Sequence, residues 1–250
     1  MTISAQSYLY AITATIQKVA VTQQEGVQRA ADLFVDALDR GGVIQAFGCG
    51  HSEALSMEIA GRAGGLVPTN RIALRDIVLY GDEDPARLDD QLLERDPAVA
   101  HRLYELAPIK PDDLFVVTSN SGVNGVVVEF AQLVKERGHT LIAITSAQHS
   151  AAVESRHPSG RRLSEIADLV LDNGAPFGDA ALALPGGGAV GAISSITGAL
   201  LAQQIVVEVV ARLVAAGRTP PIYLSANVPG GFEHNQELES RYAGRIRRSA

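Results

Sequence analysis

The stretch "DLFVVTSNSGVNGVVVEFAQLVKERGHTLIAITS", residues 113–146, leaves few folds open. Its two ends, 113–119 and 140–146, are short, apolar and β-branched, the mark of buried strands. Between them residues 123–138 read as a helix that Gly138 stops. A strand, a helix and a strand in so short a span place both strands in one parallel sheet.

The same alternation recurs. "VIQAF" (43–47) predicts a strand and residues 52–64 a helix with Leu55 and Ile59 facing in. "GLVPTNRIAL" turns and begins another extended segment, and 168–174 is a short strand with a turn. Short helices are expected around 86–94 and 98–106 and a long one over 190–216, with "AALALPGGG" extended before it. Val27, Ala30, Ala31, Phe34 and Leu38 at helical spacing make the second of two N-terminal helices, ended by Gly41-Gly42. After Pro220-Pro221 an extended tail leads to a last helix at about 235–247. The expectation is an α/β fold with a parallel sheet: one domain over 1–250, with an N-terminal helical hairpin (1–40) and a C-terminal tail (220–250).

Composition narrows the function. The 250 residues are 46% hydrophobic, enough for a sizeable core, and carry a formal net charge of −7. An acidic chain is a poor general nucleic-acid binder, and the tail arginines Arg245, Arg247 and Arg248 read as a solvated C-terminus. Cys49 is the lone cysteine, so no intrachain disulfide forms. The N-terminus lacks the basic region of a signal peptide. Residues 189–216 come nearest to a membrane span but are interrupted by Ser194, Ser195, Gln203, Gln204, Glu208 and Arg212. No membrane association and a cytoplasmic location are expected.

Two predicted strand ends carry unusual chemistry: "GCGHS" (48–52) and "TSNSGVNG" (118–125). In open parallel sheets ligands bind beyond the carboxyl ends of the strands. Each loop runs from a strand through glycines and hydroxyls into a helix start. Glycines let the backbone approach, helix amides point at an anion, and serines add donors. Neither completes a nucleotide motif, and the chain's three lysines, Lys18, Lys110 and Lys135, lie elsewhere. Two hydroxyl-lined nests without lysine suit a small phosphorylated metabolite better than a polyphosphate with magnesium.

"FGCGHS" and "VVTSNSGVNGVVVEFAQLVKERGHTLIAITS" resemble the sugar isomerase (SIS) phosphosugar-binding domain over roughly residues 40–215. "SRHPSGRRLSEIADLVLDNGAPFGDAAL" and "SANVPGGFEHN" extend the resemblance to stand-alone bacterial SIS proteins. It implies a three-layer αβα sandwich with a five-stranded parallel sheet, a homodimer, and a phosphosugar held by Ser52, Ser119, Asn120 and Ser121; Gly50 and His51, inside the first loop, are expected to contact the substrate too. The Ser-Thr pair of the N-acetylmuramate 6-phosphate etherase corresponds to Ser194 and Ser195, at the sugar hydroxyls. In these relatives the tail motif usually reads Asn-Val-Asp-Gly-Gly-Asp-Glu-His-Asn. This chain has Pro229 and Phe232 in place of the aspartates.

Proton transfer at C2 of a ring-opened sugar needs a base near C2 and a donor near O1 or O5. Glu58 follows the first loop on the same helix. Phosphoheptose isomerase and the etherase place their glutamate ten residues past the loop serine, where this chain has Arg62. Glu233 and His234 stand together in a glycine-turned loop, and histidine suits proton exchange near neutral pH. Glu94, in a polar stretch before Arg95, is passed over. His101, His139, His149 and His157 show no metal-ligand spacing, so no metal is indicated, and no cofactor is implied. Glu58, Glu233 and His234 are thus the candidate acid–base groups. The expected activity is on an amino-sugar 6-phosphate such as N-acetylglucosamine 6-phosphate, by C2 proton abstraction and β-elimination. Aldose–ketose isomerisation and non-catalytic phosphosugar sensing are the alternatives.

Overall fold

The computed structural model describes residues 3–248; the first two and last two residues of the expected domain lie outside them. Helices α1 (Ala5–Thr22) and α2 (Gln24–Asp39) meet at Gln23. Strand β1 (Ile44–Gly48), helix α3 (Glu53–Ile59) and strand β2 (Thr69–Ile72) follow. Next come α4 (Asp76–Leu79), α5 (Ala98–Leu106), β3 (Leu114–Thr118), α6 (Gly125–Glu136) and β4 (Thr140–Thr145). The chain continues through α7 (Ala147–Ala151), β5 (Leu169–Asp172), β6 (Ala180–Ala183), β7 (Ala189–Ala192), α8 (Ser194–Ala215) and α9 (Gly231–Ser240).

The main sheet is parallel in the order β2-β1-β3-β4-β5. Helices cover both faces, so strand side chains alternate between two cores. Ile44 and Ala46 of β1, Leu114 and Val116 of β3, and Ile142 and Ile144 of β4 pack with α2 and α8. Phe47, Phe115, Val117, Leu141 and Ala143 face α5 and α6. There the rings of Phe47 and Phe115 lie 4.4 and 5.9 Å from that of Phe130. Burying each ring stabilises the fold by about 1.5–3 kcal/mol. This is the expected αβα sandwich. Helix α8, with a mean hydropathy of 1.6, is long and apolar enough to cross a membrane. Its inner face, including Leu201, Ile205 and Val209, is buried in the core it shares with α2.

Four local expectations are corrected. The helix expected over 52–64 ends at Ile59, because Ala60 turns extended and Gly61 and Gly64 take positive φ. The long helix starts at Ser194, because Ala189–Ala192 pairs antiparallel with Ala180–Ala183 in a separate hairpin. The final helix is α9, starting at Gly231, so Glu233 and His234 stand in its first turn and not in a loop. Two of the three tail arginines are docked, not solvated, while Arg248 is exposed. Arg245 reaches the carboxylate of buried Asp113, and Arg247 donates its backbone amide to Asn70 Oδ1 (2.9 Å) and a side-chain N–H to the Leu106 carbonyl.

The tail arginines close a buried polar chain near the amino end of the sheet. Asn70 on β2 donates to Gln45 Oε1 (2.8 Å), and Gln45 on β1 donates to Asp113 Oδ2 (2.8 Å). Asp113 also accepts from the Val43 and Lys110 amides. Gln45, Asn70 and Asp113 thereby each have partners, as a dry interior demands.

Candidate functional site

From β1 the chain crosses to β2 on one side, and from β3 it crosses to β4 on the other. A crevice therefore opens beyond the adjacent ends of β1 and β3, the switch point where parallel sheets hold ligands. Both loops singled out in the sequence line this crevice. Thr118 Oγ1 at the end of β3 donates to the Ser52 carbonyl (2.9 Å), tying one loop to the other. The approach is close enough to require glycine at 48, since a Cβ there would overlap Thr118 Oγ1 and the Ser52 carbonyl.

The pocket is lined by His51, Ser52, Ser119, Asn120, Ser194 and Ser195, together with Thr118 and Asn173. Its enclosed volume is only about 20 Å³, room for a water, so a sugar phosphate must extend out through the mouth. The hydrogen bonds set each group's polarity. Ser119 Oγ accepts the Gly122 amide (3.1 Å), which leaves its proton to donate outward. Asn120 Oδ1 accepts from Asn173 Nδ2 (3.1 Å), so the Asn120 amide group also faces the ligand as a donor.

Ser194 behaves in the opposite way. Its hydroxyl donates to Asp179 Oδ2 (2.7 Å), while Asp179 Oδ1 accepts the Ser194 amide (2.8 Å). A carboxylate has no proton to return, so Ser194 Oγ offers the pocket only lone pairs. Asp179 has φ +63°, the only non-glycine residue with positive φ among the described residues. Such strain persists where its surroundings hold it. The pocket thus has a donor end at Ser119 and Asn120, suited to an anion. Its acceptor end at Ser194 is suited to a hydroxyl or N–H.

Of the residues expected at the site, Ser121 and Gly50 do not line this pocket; Gly50 sits exposed at its rim with φ +55°. Glu58 lies further along α3. Its carboxylate pairs with Arg62 and accepts from Gln203 Nε2 of α8 (2.8 Å). Glu233 and His234 are not brought to the pocket within one chain. His234 Nε2 donates to the Ile222 carbonyl (3.0 Å), and Ile222 bridges Leu66, ahead of the amino end of β2. Neighbouring Asn235 is buried and ties down both backbone groups of Leu224.

Asn173 in the pocket and Asp179 behind Ser194 were not read from the sequence, and Glu94 was passed over. Asn173 and Asp179 come from "DNG" and "FGD", which look like ordinary turns. Glu94 lies at the rim: its Oε2 is 3.6 Å from where a Cβ of Gly50 would stand. Burial pushes the Cys49 thiol well above its ordinary range, and the charges of Glu94 and Glu53 add to this, so Cys49 is an inert thiol. Among the described residues no three His, Cys, Asp or Glu side chains converge as metal ligands.

Residues 7–146 match the family model of the SIS domain. The chain is 41% identical to the UPF0309 protein lmo0025 of Listeria monocytogenes over 92% of its length and 93% of the relative's. It is 37% identical to the UPF0309 protein GK1441 of Geobacillus kaustophilus over 96% and 94%. Phosphoheptose isomerases share the fold. The Neisseria gonorrhoeae enzyme superposes with a TM-score of 0.54 at 18% identity, covering 82% of this chain and 96% of that one. The Francisella tularensis enzyme gives 0.56 at 17%, covering 82% and 95%.

Proposed function

The chain belongs to the SIS-domain family, and from that premise we propose that the crevice between β1 and β3 binds a phosphosugar. The observation that carries this reading is the polarity of the pocket. Neutral donors face one end, and a serine fixed as an acceptor faces the other. A single phosphate suits the first end. The second suits a sugar hydroxyl or the N–H of a 2-acetamido group.

We infer an enzyme acting on an amino-sugar 6-phosphate such as N-acetylglucosamine 6-phosphate. Once the ring opens, the aldehyde acidifies the C2 proton, and a base takes it. The electron pair forms the C2=C3 bond while the C3–O bond breaks, and the departing hydroxide takes a proton to leave as water. The acetamido nitrogen at C2 disfavours simple ketose formation and leaves elimination as the path. For acid–base groups the reading draws on His51 in the pocket and Glu58 on α3, with Glu233 and His234 joining only from a second copy. We read the protein as a single-domain, cytoplasmic homodimer. The support for a dimer is the outward face of α8, where Ile196, Val207 and Val214 are exposed beside a groove of about 450 Å³ between α2 and α8.

The test is N-acetylglucosamine 6-phosphate deuterated at C2. Loss of the label to water together with an unsaturated product supports elimination. Loss of label with a ketose product makes the protein an isomerase. Product without loss of label removes C2 abstraction. Binding without exchange or product makes it a sensor.

A further inference from the structure

The docked tail and the end of α3 enclose a second concavity, on the β2 edge of the sheet. It holds about 230 Å³, with Met57 and Ala60 on the α3 side and Arg62, Arg71, Arg247 and Arg248 around it. No acidic side chain lines it. In a chain of net charge −7, four guanidiniums around one cleft reverse the local sign.

The neighbouring carboxylates do not cancel them. Arg62 pairs with Glu58, and Arg248 pairs with Glu239 at 3.3 Å. Arg71 lies 3.8 Å from Glu53, but Glu53 also holds Arg75. Arg247 has no carboxylate within ion-pair reach among the described residues. Its guanidinium lies 3.8 Å over the Tyr80 ring and donates to the Leu106 carbonyl. Asp76, near Arg247, Arg71 and Arg75, is buried, and burial pushes its carboxyl up although those arginines oppose this. Arg247 is also positioned in advance, stacked on a ring and tied by its own backbone to Asn70. A fixed guanidinium loses little freedom on binding, and its planar fork matches phosphate oxygens.

We propose that this cleft is a second anion site, distinct from the β1–β3 crevice, that takes a small phosphate-bearing dianion. The volume excludes a large ligand, and the acidic remainder of the surface disfavours a long polyanion. Helix α3 joins the two sites: it begins at the Ser52 loop and ends at the cleft, with Glu58 between them. An anion that draws Arg62 away leaves the Glu58 carboxylate with Gln203 alone, so occupancy of the cleft changes the charge beside a candidate base.

The experiment is calorimetric titration of the full chain with pyrophosphate at low ionic strength. The wild type is compared with Arg62→Ala/Arg248→Ala and with Ser119→Ala. Arg62 and Arg248 are 47% and 48% exposed, so their loss leaves the core intact, and melting without ligand verifies this. The double variant is expected to weaken binding by about tenfold or more, and Ser119→Ala to leave it unchanged. Arg62→Lys/Arg248→Lys, which keeps the charge but not the fork, is expected to fall between. Unchanged affinity in the double alanine variant overturns the proposal, as does a wild type that binds no pyrophosphate at millimolar concentration. Loss of binding in Ser119→Ala also overturns it, and assigns the anion to the β1–β3 crevice instead.

Discussion

Asp179 decides whether Ser194 gives or takes a proton. In Asp179→Asn, the amide oxygen can still accept the Ser194 N–H, but the amide nitrogen then donates to Ser194 Oγ and turns the serine's own proton toward the ligand. Asparagine also tolerates the left-handed backbone that Asp179 adopts. The expected outcome is a normally folded protein whose affinity for N-acetylglucosamine 6-phosphate falls by about tenfold, on the order of one hydrogen bond. Its affinity for inorganic phosphate at the donor end stays the same. Asp179→Ala is expected to behave differently. It loses the cap of α8 and strains the backbone, at a cost of about 1–3 kcal/mol of stability, read by chemical denaturation. Equal ligand affinity in wild type and Asp179→Asn contradicts the assigned polarity. At this scale the sequence revealed the residues that follow strands. Ser52, Ser119 and Asn120 stand in loops whose composition is odd enough to notice. Asn173 and Asp179 stand in turns of ordinary composition, and their importance arises only when β5 and the β6–β7 hairpin bring them to Ser119's side of the sheet.

Among the elements, β1, β3, β4 and α6 were legible because burial on both faces demands long apolar runs that nothing else explains. Two segments were misread for opposite reasons. "AVGA" at 189–192 is small and apolar, and it joins a helical pattern as easily as a hairpin; its pairing with Ala180–Ala183 is a tertiary choice. Residues 60–64 continue the helical look of α3, yet positive φ at Gly61 and Gly64 ends it. Helix α8 shows a further property that periodicity hides. Its buried side carries Leu201, Ile205 and Val209, while Val207 is 64% exposed on the other side. Exposed apolar side chains on the outer side of such a helix suit a partner there. With a second copy as that partner, Val207→Glu is expected to shift sedimentation from dimer to monomer at micromolar concentration and leave the monomer's circular dichroism unchanged. A wild type that sediments as a monomer, or a variant that remains dimeric, excludes this face as the interface.

At the scale of the whole molecule, the tail is part of the fold. Arg245 is 13% exposed and meets Asp113, whose side chain is fully buried. Removing one partner of such a pair leaves the other charge buried and costs about 3 kcal/mol. Arg245→Met is expected to lower stability by that order in urea denaturation, whereas Arg241→Met, which breaks an exposed pair with Glu237, changes it by less than about 0.5 kcal/mol. Equal effects would return the tail to the solvated role that its run of arginines first implied. That role was a reasonable reading of charge alone, because the sequence does not show that Gln45, Asn70 and Asp113, far apart in the chain, come together at one end of the sheet.

The same buried chain of side chains has a consequence for how the protein is born. Asp113 and Arg245 are separated by 132 positions, so Asp113 leaves the ribosome long before the cation that will neutralise it exists. Until then the amino ends of β1, β2 and β3 hold a carboxylate, two amides and several strand edges that water must keep company. A nascent chain in that condition is open to wrong partners. The stretch that carries Arg245 and Arg247 therefore acts as a late step of folding, and the amino end of the sheet reaches its final stability only after translation has passed residue 247.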